Sequence, residues 1–114
     1  GSTSGIYLTK ELFPRLGLTD QITVTVTERG SQATTLLAAK EVNIAIQPSS
    51  EIVNVPGVDY VGRIPNELQL IQTFSAAIVA GSTQQEAAKK LIQYLKSPKA
   101  IEPIKNGGMD LVTK

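Results

Sequence analysis

The residues of this 114-residue chain that can do chemistry are small and polar, and they cluster where helices should start. Gly1, Ser2, Thr3, Ser4 and Gly5 open the chain. Hydroxyl residues and glycines at a helix start leave backbone N–H groups aligned with the positive end of the helix dipole, where an oxyanion can dock without a formal positive charge beside it. The same residues also make an ordinary N-cap. A P-loop is excluded, because no Gly-Lys-Ser/Thr ending follows. Arg29, Gly30, Ser31 and Gln32 repeat the pattern. Two helix starts that each follow a sheet strand can converge on one ligand at the strands' carboxyl ends. Gln47, Pro48, Ser49, Ser50 and Glu51 then bring more small polar groups to the same edge.

Catalytic alternatives find little support. Glu51 as a general base lacks a partner acid, a metal cluster or a nucleophile at workable spacing. Cysteine and histidine are absent, which excludes disulfides, Cys/His zinc sites, thiol nucleophiles and histidine-based triads. A serine hydrolase built on Ser4 or Ser50 would have neither a histidine nor a plausible lysine partner. The carboxylates are too scattered for a divalent-metal cage, and no cofactor is implied. The expectation is a binding protein, not an enzyme. Lys and Arg total 11 against 10 Asp and Glu, a net charge of +1, so no field exists for wrapping nucleic acid. With 41% hydrophobic and 18% charged residues the chain is not a disordered tail, and its length fits one domain, residues 1–114.

Positioning these groups requires alternating helices and strands. Leu8, Leu12 and Leu16 recur at helical spacing and predict a helix over Ser4–Leu16, with Pro14 distorting its last turn and Gly17 ending it. Ile22 to Thr27 alternates apolar and hydroxyl residues and predicts a strand with one buried face. A helix over Gln32–Lys40 follows, then a strand at Val42–Ile46 and a single helical turn after Pro48. Val58–Val61 and the second half of Leu68–Ala80 predict further strands, the latter buried. Ser82 and Thr83, with Gln85 and Glu86 three residues on, give overlapping capping boxes for a helix over Gln84–Lys96. Ser97–Pro98 starts another helix that ends at Gly107–Gly108, and Met109–Val112 predicts a last short strand. The sum is an α/β domain of three layers.

In order along the chain stand Gly1–Tyr7, Leu12–Gly17, Ile44–Gln47 with Ser50–Ile52, Val61–Pro65 with Glu67–Gln69, Phe74–Ile78, Leu95–Pro98 and Gly108–Met109. This ordered set resembles the C-terminal half of the molybdate-binding-protein-like components of ABC transporters, which are type 2 periplasmic solute-binding proteins. The resemblance implies an incomplete α/β lobe pair with the N-terminal lobe absent. Residues 1–68 or so would form most of the second lobe, and about 69–114 a return strand and C-terminal helices. It implies a small oxyanion or other small anionic solute as ligand, held by neutral donors near Ser4 and Gly5, near Glu28–Ser31, and near Ile46 or Gln47. Together with the reading above, the candidate ligand set is Ser2, Thr3, Ser4, Gly5, Arg29, Gly30, Ser31 and Gln47. Where molybdate binders of the family carry a tyrosine hydroxyl, this chain has Ile46–Gln47. The resemblance further implies a periplasmic location and a membrane permease as partner. Apolar helix faces that would pack on the absent lobe point to a homodimer, with exchange of the C-terminal segment as one way to pair. A stand-alone dimeric interaction or sensory domain using the same fold is the alternative.

Overall fold

The computed structural model describes residues 2–112; Gly1, first of the expected anion-docking residues, lies outside them. Two compact units divide the chain, the first ending at Leu70 and the second starting at Ile71.

The first unit begins with α1 (Thr3–Tyr7), which runs through a π-helical turn at Leu8–Leu12 into α2 (Phe13–Arg15). Leu8 and Leu12 are buried, whereas Leu16, next in the expected apolar series, is exposed beyond the last turn. In the wide turn the Phe13 N–H reaches back five residues to the Leu8 carbonyl. Pro14 follows at once. A proline offers no N–H and crowds the carbonyl four residues back, and a widened turn ahead of it relieves that conflict. Tyr7 leaves the helix side-on and donates its hydroxyl proton to the Leu68 carbonyl at 2.8 Å. Leu68 closes a 3-10 turn, Asn66–Leu68, that the sequence pattern did not announce. Helix α3 (Ala33–Ala38) is shorter than its apolar spacing suggested, and it buries Thr34. Pro48 leads into a 3-10 turn at Ser49–Glu51.

In the second unit α4 (Gln85–Leu95) packs against α5 (Pro98–Asn106), where Ala100 is buried. The expected capping box at α4 does not form. Ser82 Oγ accepts from the Gln84 N–H at 3.1 Å, ahead of the helix, and Glu86 pairs with Lys89 at 2.8 Å. A short hydroxyl can satisfy a turn or a cap, and here the turn takes it.

Three helical segments stop in the same way. Behind Gly17, Lys40 and Gly108, each at positive φ, the next N–H bonds back five residues: Leu18 to Phe13, Glu41 to Leu36, and Met109 to Ile104. This Schellman closure satisfies carbonyls that the helix leaves open. Glycine takes the left-handed conformation without a Cβ penalty; Lys40, at φ 61°, does not.

The strand expectations meet a different outcome. Ile22–Thr27, Val42–Ile46, Val58–Val61, the second half of Leu68–Ala80 and Met109–Val112 lie without ladder pairing, and no strand occurs among the described residues. The segment expected to be buried is open: Phe74 and Val79 are each more than 70% exposed. Alternation fixes which face of a segment wants cover, but a ladder also needs a neighbour about 4.8 Å away to take its N–H and C=O groups. No helix among the described residues is long and apolar enough to cross a membrane.

Replacing Lys40 by Gly should relieve the strained closure. We expect Lys40→Gly to raise the unfolding free energy by about 0.5–1 kcal/mol, read from the urea midpoint at unchanged slope.

Candidate functional site

The start of α1 is built by Ser2. Its backbone is extended (φ −86°, ψ 164°), and its Oγ accepts from the Gly5 N–H at 3.1 Å while its carbonyl accepts from the Ile6 N–H at 3.0 Å. Ser2 Oγ and Ser4 Oγ also share a hydrogen bond of 3.1 Å. A Cβ at position 5 would stand only 3.3 Å from Ser2 Oγ, so the glycine gives the capping hydroxyl its room. Thr9 Oγ1 donates to the Gly5 carbonyl at 2.8 Å. The Gly5 N–H is therefore committed to the cap. The N–H groups of Thr3 and Ser4, in the first turn, have no intrahelical acceptor. No acidic residue shares that turn, Thr3 is exposed, and Ser4 is half-buried. Two backbone donors and a hydroxyl pair at the positive end of a helix can hold one oxygen-bearing anionic group.

Arg29, Gly30 and Ser31 occupy a different setting. They lie on a β-turn closed by the Ser31 N–H to the Glu28 carbonyl at 3.0 Å, with Gly30 at φ 91° in the third position, as a type II turn requires. All three are exposed. Helix α3 starts only at Ala33, with Gln32 as its N-cap residue, so these residues precede the helix and do not form its first turn. Thr27 Oγ1 donates to the Ser31 carbonyl at 3.3 Å, which ties the turn to the preceding segment.

Gln47 is where the structure adds most to the sequence. Its Oε1 accepts from the backbone N–H of Thr34, in the first turn of α3, at 2.9 Å. Its Nε2 donates to Glu51 Oε2 at 2.7 Å. Gln47 thus does for α3 what Ser2 does for α1, from 13 residues away. The i, i+4 spacing of Gln47 and Glu51 was visible in the sequence; the reach to Thr34 was not, because long-range caps leave no local pattern. Ser49 Oγ and the Tyr60 hydroxyl share a further hydrogen bond at 3.1 Å. The candidate residues therefore fall at three places: Ser2–Gly5 on α1, Arg29–Ser31 on the turn, and Gln47 at the start of α3.

An open cleft of about 210 Å³ lies beside the π turn, lined by Thr9, Phe13, Thr19, Ile22 and Val24. Among the described residues no group of three or more His, Cys, Asp or Glu side chains is placed to hold a metal ion.

The α1 cap predicts its own cost of removal. Ser2→Ala should lower the unfolding free energy by about 1 kcal/mol, while Ser2→Asp should hold it near that of the native chain, both read by urea denaturation.

Comparison with known proteins gives this geometry a context. The chain is 36% identical over 109 residues to an aconitate isomerase from Pseudomonas sp., covering 95% of this chain and 42% of the relative. It thus spans less than half the length of that curated relative. No solved structure matches the chain. A family model described as bacterial extracellular solute-binding protein matches residues 1–110. With nearly its whole length accounted for by that model, the chain belongs to the bacterial extracellular solute-binding proteins.

Proposed function

We propose that the chain contributes to the binding of a small anionic solute in an extracellular or periplasmic solute-binding protein, with the start of α1 as its anion-facing end. The observation that carries this reading is the family match over residues 1–110. The capped helix start supports it with donors of the right kind: the Thr3 and Ser4 N–H groups and the Ser2–Ser4 hydroxyl pair. A carboxylate is the first choice of anion, because the relative at 36% identity is named for aconitate, a small tricarboxylate. A molybdate-like tetrahedral oxyanion is the other choice, and it would use the same donors. In this reading the α/β type 2 lobe completes its sheet when the strand-forming segments find neighbours, and an ABC-type permease receives the solute. The exposed Ile71, Phe74 and Val79 support a cover for the second unit, for which a second copy of the chain is one candidate.

Magnitudes set the conditions of the test. A hydrogen bond to a charged group contributes about 1.5–3 kcal/mol, and two of them correspond to dissociation constants around millimolar. An amide-resolved NMR titration with aconitate, molybdate, sulfate and phosphate into the millimolar range should give saturable shifts at Thr3 and Ser4. Ser2→Asp keeps the cap but places a carboxylate where the anion would sit, and it should abolish those shifts. The absence of saturable shifts at α1 with every anion would overturn the assignment.

The relative's name also favours a second reading, isomerisation of aconitate by a longer protein of which this chain forms part. Following the ratio of the two aconitate isomers by proton NMR, with and without a longer protein that contains this chain, separates the two. Conversion above the protein-free rate supports the enzyme; saturable shifts without conversion support the binding protein.

A further inference from the structure

We propose that Glu51 is a positioning residue: it orients the Gln47 side-chain amide so that its oxygen, and not its nitrogen, meets the first turn of α3. A glutamine amide is symmetric in shape and asymmetric in chemistry, with an acceptor at one end and a two-proton donor at the other. Which way it points is decided by its partners. Two partners are present here, and they make opposite demands. The backbone N–H of Thr34, 2.9 Å from Oε1, can only donate; the ionised carboxylate of Glu51, 2.7 Å from Nε2, can only accept. Each partner excludes the flipped amide. Thr34 belongs to the helix being capped and is the most deeply buried polar residue described, at 1% exposure. Glu51 sits on the 3-10 turn Ser49–Glu51, four residues from Gln47, and is free of that burial. The carboxylate is thus the adjustable member of the set, and it holds the cap shut from outside the helix.

The consequence for solute binding rests on the function proposed above. Gln47 is partly committed: its oxygen serves α3, and one of its two amide protons serves Glu51. The start of α3 is filled from within by an acceptor of this chain's own, and Glu51 places a negative charge behind it. Neither α1 nor α3 has an acidic residue in its first turn and each has one donor capped from within, so the Glu51 carboxylate behind Gln47 is what distinguishes the two starts. Under the proposed function, that charge disfavours an anion at the start of α3, and no such carboxylate bonds to the cap of α1.

The test is amide hydrogen exchange on the whole 114-residue chain, without ligand, so its outcome is independent of whether any solute binds. Glu51→Ala should speed exchange of the Thr34 amide about tenfold, with the exchange rates of Ala88 and Gly107 in the second unit unchanged. Glu51→Gln retains an acceptor without the charge and should restore most of the protection. Gln47→Leu should lose the protection by itself, and adding Glu51→Ala to it should change nothing further. The side-chain NH₂ resonances of Gln47 should move in both Glu51 variants. Native exchange at Thr34 in Glu51→Ala would overturn the proposal. So would failure of Glu51→Gln to restore protection, since the charge and not the acceptor would then be acting. An undiminished effect of Glu51→Ala in the Gln47→Leu background would overturn it equally.

Discussion

The hydroxyl of Tyr7 reaches a carbonyl 61 residues further along the chain, and the order of the first unit depends on ties of this kind. Few large side chains are deeply buried: among the described residues, Leu8, Leu12 and the polar Thr34 are buried in the first unit, and Ala100 in the second. Burial of a leucine is worth a few kcal/mol and has no direction, so two leucines do not by themselves say where a loop must lie. A hydrogen bond between a side chain and a distant backbone group does. Tyr7 to Leu68 fixes the segment after Pro65 against α1, Gln47 to Thr34 fixes the segment after Ile46 against α3, and Ser49 to Tyr60 closes the intervening loop. The first two of these ties also satisfy a backbone group at a turn or helix terminus, the Leu68 carbonyl and the Thr34 N–H; the third joins two hydroxyls.

The helices were largely legible because their signals are local. Ser97–Pro98 and Gly107–Gly108 bracket α5 as a start and a stop should, and Gly17 closes the first helical run where the spacing of Leu8 and Leu12 ends. What escaped the sequence escaped for stated physical reasons. Lys40 takes a glycine's place at the end of α3, and a residue that bears local strain gives no warning of it. The Ser82–Glu86 motif offered two ways to satisfy the same donors, and a pattern cannot rank them. The strand segments were chosen by periodicity, a property of one segment, whereas pairing is a property of two. Of the candidate site, a helix start within the opening hydroxyl run was legible, but the cap falls on Ser2 and the helix opens at Thr3, one residue ahead of the expected Ser4. The commitment of the Gly5 N–H and of Gln47 to caps was not legible, because a donor's availability depends on who already holds it.

Under the function proposed above, the two caps distinguish helix starts that share the same backbone donors. Backbone donors at a helix start are a property of every helix. Selectivity between such starts comes from what the chain places in front of each one. Ser2 satisfies one donor and leaves its neighbours exposed, while Gln47 brings an acceptor with a carboxylate behind it. Both capping groups are neutral, and on that proposal the carboxylate of Glu51 behind Gln47 is what separates the two starts.

From Ile71 to Ala80 the chain carries no charged residue and no proline, and Ile71, Phe74 and Val79 are open to solvent. Ten uncharged residues rich in β-branched and aromatic side chains are also the composition from which intermolecular cross-β stacks nucleate. A segment of that composition without a ladder partner can pair with an identical one. Protein concentration therefore belongs among the variables of this chain's behaviour: dilute, the run is solvated; concentrated, it is its own nearest supply of strands. A single lysine or glutamate at Ala77 would act as a gatekeeper against that self-association.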